Sequence, residues 1–381
     1  MKIGIDISQI VYQGTGVARF TEGLVNAILE YDRVNQWLFF FSSLRKNLDK
    51  ELEAKILQKG HKLVKWKIPP TILSFICNDV HSHSISQFLN FLISFDFFIT
   101  SDWTEPPLKI NKATIVHDLV YLRYPQTVDK KIRQVQEKRL FWVKKESKII
   151  FADSQSTKND LINLLQINPD RIVVNYPGVT TLNPTRLKIE ETLNRYNLKK
   201  KKFILTVGKI EPRKNLERLI TAMKQLNNEK LNLVIVGPKG WSKENIKHQI
   251  SLKQNKFASG QANIKYLGYI KDQELYCLYA SCLFFIYPSI WEGFGYPIVE
   301  AMRLEAPVAC SNTSSLKEIA DEAALLFNPQ DINDILEKMK ILSENESLRK
   351  KLINKGKKRS QIFTWRHYYN TLIKTLAEKK G

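Results

Sequence analysis

The sequence predicts an α/β protein of two doubly wound domains, each an open parallel sheet. Three observations support this. At 381 residues the chain suits two domains of ordinary size. Short apolar runs alternate with stretches of helical periodicity, the pattern of strand–helix–strand units. The alternation stops once, at 182–202, and then restarts.

Taken in order, KIGIDIS (2–8) reads as a strand and GVARFTEGLVNAILEY (16–31) as an amphipathic helix. QWLFFFSS (36–43), HKLVKWKI (61–68), FDFFIT (95–100), ATIVHDL (113–119) and KIIFADS (148–154) read as strands. The helix STKNDLINLL (156–165) starts on a good N-cap, and RIVVNYPGV (171–179) closes the first half. Residues 1–181 are therefore the first domain. The segment 182–202 lacks strand character, carries a lysine run and reads as a linker. In the second domain, 203–363, FILTVGKI, LNLVIVG, NIKYLGYI, LFFIYPS and PVACSN are strands. NLERLITAMKQL, QELYCLYASC and GYPIVEAMRLE are helices, and a basic helical stretch ends the chain. Two such domains imply a cleft between the carboxyl ends of both sheets, where ligands bind in these folds.

Composition narrows the class. A hydrophobic fraction of 43% and a charged fraction of 25% are ordinary for a globular chain. The net charge of +21 is not, and it favours anionic partners. Residues 1–181 carry 24 Lys/Arg against 18 Asp/Glu, so the excess is uneven. Lys131–Lys148 has seven basic residues and two acids, and Arg349–Gly381 has 11 against one. Two basic helices on a moderate body suit surface contact better than a nucleic-acid groove, or are merely solvated faces. Cys77, Cys277, Cys282 and Cys310 show neither metal-ligand nor disulfide spacing, which suits a reducing cytosol. The start MKIGIDISQI reads as a strand, not a signal peptide. The apolar stretch Ile85–Thr100 is too short and too polar to span a bilayer.

Two loops carry the chemistry. VGKIEPRKNLERLI (207–220) leaves a strand at Gly208 and opens a helix near Asn215, with Lys209, Arg213 and Lys214 between. Cations beside free helix-end amides make a phosphate site; alone they are also ordinary exposed loop residues. YPSIWEGFGYPIVEAM (287–302) sets Glu292 and Glu300 on either side of a Gly-Phe-Gly turn. Gly293 and Gly295 allow close backbone approach, and Pro297 suits a first helical turn. Glu300 then falls about one turn into the helix, within reach of a ribose, and Glu292 stays in the loop on the sugar side. No two aspartates stand two positions apart, so no Asp-x-Asp metal motif exists.

Glu292-Gly-Phe-Gly-Tyr-Pro-Ile-Val-Glu300 resembles the E-x7-E signature of the retaining glycosyltransferases of family 4. These have the GT-B fold of two Rossmann-like domains with a C-terminal helix (here about 364–381) crossing back to the first. VGKIEPRKN is similar to their phosphate loop. YLGYIKDQELYCLYASC is similar to the segment at the nucleobase edge, and VGPKGW to the strand end beside it. TIVHDLVYLRYP and GTGVARFTEGLVNAI resemble their His-Asp-Leu segment and glycine-rich first loop. The resemblance covers nearly the whole chain in order.

That resemblance implies roles. Lys214 would bind the diphosphate with Arg213, while Lys209 stands where many members have arginine. Glu300 would hold the ribose hydroxyls. Glu292, with the amides of Phe294 and Gly295, would address the donor sugar, with His117 near sugar and phosphate. Gly237, Tyr269 and Ile270 fall at the nucleobase edge. Gly14 and Gly16 would let the first loop approach diphosphate and acceptor, with Thr15 and Asp118 toward the acceptor. Asp118 equally suits a turn cap. Trp365 reads as a packing anchor in the last helix.

The function implied is metal- and cofactor-independent transfer of a hexose from a nucleotide sugar to a saccharide, lipid-linked acceptors included. The closest resemblance is to bacterial O-antigen and exopolysaccharide mannosyltransferases, which favours GDP-mannose. UDP-glucose, UDP-N-acetylglucosamine and dTDP-rhamnose users share these motifs. A nucleotide-sugar epimerase of the same fold, or an anionic-surface or nucleic-acid binder, is the rival of another class. The expected location is cytoplasmic, peripheral on the inner face of the plasma membrane. There the basic helix KKIRQVQEKRLFWVKKESK would offer Arg139, Lys144, Lys145 and Lys148 with Phe141 and Trp142 to anionic lipid, with no nucleic-acid partner. Alternatively Phe141 and Trp142 pack into the core.

Overall fold

Thirteen strands form in the computed structural model among the residues it describes, which are 1–12, 14–82, 95–100, 102–240 and 263–380. In the first half these are β1 (Lys2–Asp6), β2 (Gln36–Ser42), β3 (Lys62–Trp66), β4 (Phe97–Thr100), β5 (Asn111–Val116), β6 (Ser147–Ala152) and β7 (Ile172–Val174). In the second they are β8 (Phe203–Val207), β9 (Asn232–Val236), β10 (Asn263–Gly268), β11 (Phe284–Tyr287), β12 (Val308–Ser311) and β13 (Ala324–Phe327). Every pairing is parallel: β3-β2-β1-β4-β5-β6-β7 in one sheet and β10-β9-β8-β11-β12-β13 in the other. Helices cover both faces of such sheets. That explains the near-continuous apolar runs, such as the fully buried FFIY of β11.

The chain divides into two units, Met1–Gly178 with Thr364–Gly381, and Val179–Phe363. Val179 N donates to Phe363 O at 3.0 Å, so the two strands of chain that bound the second unit run side by side. Residues 182–202 are not a free linker. They hold the helix Arg186–Arg195, capped by Thr185 Oγ1 on Lys188 N, in the second unit. Its Thr192 and Leu193 are buried, Arg195 pairs with Glu274, and Tyr196 OH donates to Glu274 Oε2 at 3.2 Å. A lysine-rich surface hid an amphipathic helix there.

The basic C-terminal stretch is two helices, Glu346–Ser360 and Trp365–Glu378, split where Thr364 Oγ1 caps His367 N at 3.2 Å. The second helix packs on Gly16–Tyr31 in the first unit. Trp365 anchors it edge-on to Phe20, with ring centroids 5.5 Å apart, and to Tyr368 at 5.6 Å. Its indole fills the space over Gly23, where an added Cβ would stand 2.0 Å from the ring. Four-residue β13 and the helices Lys50–Gln58 and Ile332–Glu344 carry no signal used above.

Candidate active site

In an open parallel sheet, ligands bind beyond the carboxyl ends of strands where the strand order reverses. In the second unit that point lies between β8 and β11, since β8 is flanked by β9 and β11. The loop after β8 carries Glu211, Arg213 and Lys214, and the loop after β11 carries Trp291–Gly295. Topology thus joins the two loops that the sequence singled out separately.

Their side chains form one buried cluster. Arg213 Nη1 donates to Glu292 Oε2 at 2.5 Å and to Trp291 O at 2.9 Å. Its Nη2 donates to Glu211 Oε1 at 2.7 Å. Lys214 Nζ donates to Glu292 Oε1 at 2.5 Å and to Tyr287 OH at 2.8 Å. Only 16% of Arg213, 11% of Lys214 and 10% of Glu292 is exposed at the side chain. Burial opposes ionisation of Glu292, but Arg213 and then Lys214 outweigh it and hold the carboxyl down at about 2. Burial and the neighbouring guanidinium press the Lys214 ammonium below its ordinary value, against Glu292 and Glu211.

The Glu292 loop is fixed from below. Ser314 Oγ accepts from Glu292 N at 3.0 Å, and Ser315 Oγ donates to Glu292 O at 2.9 Å and Phe294 O at 3.1 Å. Gly295 turns the chain into the helix Tyr296–Arg303 at φ +96°, and a Cβ there would come within 2.7 Å of Leu316 Cδ2. No side chain caps that helix; Pro297 brings no N–H to its first turn, and Ile298 N donates back to Gly295 O at 3.0 Å. Phe294 is buried edge-on to Tyr296 and Phe363, which leaves its backbone, not its ring, for a ligand. Glu300 lies on the buried face of the same helix and accepts from Tyr279 OH at 3.2 Å.

The remaining expected donor contacts spread around this point. Gly237 follows β9 and is hydrogen-bonded through its N to Gly268 O at 2.8 Å. Tyr269 is exposed and Ile270 buried just after β10. Lys209 runs over Gly240, where an added Cβ would lie 3.1 Å from its Cγ and Cε. Trp241 of the VGPKGW segment lies outside the described residues.

In the first unit the corresponding reversal lies between β1 and β4. His117, at the end of β5, borders a small hollow lined also by Asp6, Gln9, Phe20, Thr100 and Asp102. Its Nδ1 lies 2.6 Å from Asp153 Oδ2, and its ring stands edge-on to Phe20, 4.7 Å between centroids. Burial disfavours the imidazolium, yet Asp153, with Asp102 and Asp118, overrides it and raises His117 to about 9. A raised histidine stabilises the fold fully below its unfolded value of 6.5, and that contribution is lost as pH climbs through about 9. Asp153→Asn therefore moves the His117 midpoint, read by NMR, from about 9 toward or below 6.5. An unchanged midpoint would show that Asp153 does not hold the charge.

Thr15 and Asp118 have local partners. Thr15 Oγ1 caps Ala18 N at 3.2 Å and donates to Tyr12 O at 2.8 Å. Asp118 Oδ1 accepts from Val120 N at 3.0 Å, the turn cap that its position also suited. Gly14 is left-handed at φ +82°, and Gly16 begins the helix with open space around it. Sequence reasoning missed Asp153, Glu211 and Tyr287. Asp153 follows β6 and meets His117 from the adjacent β5. In the second unit Glu211 lies two residues before Arg213 in one loop, and Tyr287 ends β11, which pairs with β8 and so meets Lys214.

The basic helix Lys130–Glu146 is partly corrected. Arg139 is fully buried, donating to Thr114 Oγ1 at 2.8 Å and Ile115 O at 2.9 Å, and offers no surface charge. Trp142 packs inward, stacked on His81 at 3.5 Å with its Nε1 donating to Asn78 O. Phe141 stays 51% exposed beneath the Lys145 ammonium. Among the described residues, no helix is long and apolar enough to cross a membrane; residues 85–94 of the apolar stretch lie outside them.

Comparison with known proteins places this geometry. Residues 188–359 match the family model described as "Glycosyl transferases group 1". The crystal structure of Anabaena Alr3699/HepE in complex with UDP and glucose superposes with a TM-score of 0.72 over 99% of this chain and all of that one, at 15% identity. Fold and site together define a GT-B glycosyltransferase. The O-antigen chain mannosyltransferase B of Escherichia coli is 31% identical over 265 residues, 68% of each chain. The serotype-specific mannosyltransferase WbdA of Escherichia coli is 31% identical over 221 residues, 57% of this chain but 27% of that longer protein. The chain belongs to the group 1 glycosyltransferase family.

Proposed function

We propose that the protein is a retaining, metal-independent hexosyltransferase. It moves mannose from GDP-mannose to a lipid-linked saccharide in assembly of a cell-surface polysaccharide. The observation that carries this is the Arg213–Lys214 pair at the end of β8, facing the Glu292 loop at the end of β11. A leaving nucleoside diphosphate gains negative charge as the glycosidic bond breaks, and two nearly buried cations stabilise that charge. Attack comes from the same face, with the departing phosphate taking the acceptor's proton. Glu300 holds the ribose. Mannose is favoured by the relatives named O-antigen mannosyltransferases in Escherichia coli and Salmonella typhimurium.

A thermal-shift screen of nucleotide sugars tests the donor. GDP-mannose should raise the melting temperature most, because a ligand that binds only the folded state stabilises it. Release of GDP should require an acceptor, survive a chelator and give a product of unchanged anomeric configuration. Stabilisation by a UDP or dTDP sugar instead would overturn the mannose assignment, and an inverted product the retaining one.

Peripheral attachment to an anionic membrane belongs to the same proposal. The helix Lys130–Glu146 that carries Phe141 packs on the turns Phe75–Val80, joined to them by the Lys138–Asp79 pair, and Pro70–Ser74 precedes those turns. Ile72 is 50% and Phe75 57% exposed. Apolar rings among lysines suit a headgroup boundary, at about 1 kcal/mol per cation. Replacing Lys144, Lys145 and Lys148 by Glu should abolish sedimentation with anionic liposomes while donor binding persists. Wild-type protein that stays in the supernatant at low salt would refute the attachment alone.

A further inference from the structure

We infer that Glu292 is an exchangeable counter-ion, bridging Arg213 and Lys214 in the unliganded protein and giving way on both when a diphosphate arrives. The inference rests on the reading of these two cations as the donor's phosphate site. Three features of the cluster lead to it.

First, both cations are held in place without Glu292. Arg213 keeps Glu211 Oε1 at 2.7 Å and Trp291 O at 2.9 Å, and its carbonyl accepts from Ile290 N at 2.9 Å. Lys214 keeps Tyr287 OH at 2.8 Å, with its ammonium 5.1 Å from the centre of that ring, and its amide donates to Glu211 O at 3.0 Å. Glu292 is therefore not what positions them. Second, Glu292 gives one oxygen to each cation, Oε2 to Arg213 and Oε1 to Lys214, both at 2.5 Å. Neighbouring phosphate oxygens present themselves to two cations in the same way. Third, the cations are too buried to stand unneutralised, since an unpaired charge in this environment is costly. Glu211 supplies one negative charge to the pair of cations, and Glu292 supplies the second when no ligand does.

Exchange needs no loop movement. The Glu292 backbone is fixed at N by Ser314 and at O by Ser315, so exchange is a rotation of the side chain, which gives up both cations and the bond that Tyr287 OH donates to Oε1 at 3.0 Å. Its two acceptor oxygens then become available to sugar hydroxyls only after the diphosphate is seated. The carboxylate that the sequence assigns to the sugar thus guards the phosphate site until the donor enters.

The inference reverses the usual expectation for removing a site residue. Inorganic pyrophosphate is titrated calorimetrically into the wild type, E292Q, E211Q and K214A, with melting followed on the same samples. E292Q should bind pyrophosphate about five- to a hundred-fold more tightly, the gain from removing a charged hydrogen-bonding competitor. It should also melt lower without ligand and recover more on saturation. E211Q, which removes a group that positions Arg213, should gain less. If both variants gain equally, the effect is net charge alone and the exchange is refuted. If K214A loses pyrophosphate while E292Q gains nothing, the exchange fails and the phosphate reading stands. If K214A binds as tightly as wild type, the phosphate reading falls and the exchange with it. Should E292Q not fold, E292D, whose shorter arm cannot bridge both cations, must show the same tightening for the inference to survive.

Discussion

Lys214→Ala lowers turnover about a hundred- to a thousand-fold, the usual loss when one preorganised stabiliser of developing charge is removed. The ammonium sits almost fully buried between Glu292 and Tyr287, where it acts at low dielectric and needs no reorganisation during the reaction. The fold should survive. Arg213 still neutralises Glu292, and Ser314 and Ser315 still hold its loop. Binding of the nucleoside monophosphate should change far less than turnover, because the charge that develops lies on the distal phosphate. Rates from single turnovers and affinities for both nucleotides check this. Equal losses for monophosphate and diphosphate ligands would remove Lys214 from the proposed role.

Trp365→Ala destabilises the first unit by about 2–3 kcal/mol, below the usual range for a fully buried aromatic because the side chain is only partly buried. The indole sits against Phe20, Tyr368 and the bare backbones of Gly23 and Gly178, so alanine leaves a cavity that glycines cannot fill. Amide exchange across Trp365–Glu378 would report the loss locally, which matters because a chain of two units need not unfold in one step. Gly23→Ala supplies the complementary test. Its new methyl would overlap the indole in the wild type and should destabilise it, yet it should cost little in the Trp365→Ala background. Additive effects of the two substitutions would mean that the tryptophan does not occupy that space.

The limits of legibility follow from the kind of interaction involved. Buried parallel strands betray themselves as apolar runs, which is why eleven strand segments could be read in order while four-residue β13 could not. The helix Arg186–Arg195 was concealed because only Thr192 and Leu193 are buried, while Leu187 is exposed and five of its ten residues are charged. Arg139 and Trp142 looked like surface groups for the opposite reason. Lys130–Glu146 has a basic sequence, and only its docking on β5 and on the Phe75–Val80 turns shows which members turn inward.

The sequence by itself determined the two parallel-sheet domains, the loops after β8 and β11, and the residue types Arg213, Lys214, Glu292 and Glu300 within them. These are local matters: periodicity, turn chemistry and spacing within a few residues. Only the tertiary structure decided that Glu292 bridges the two cations and that Asp153 pairs with His117. Hydrogen bonds and ion pairs between residues 36 to 79 positions apart depend on which strands lie side by side, and strand order is a property of the folded sheet.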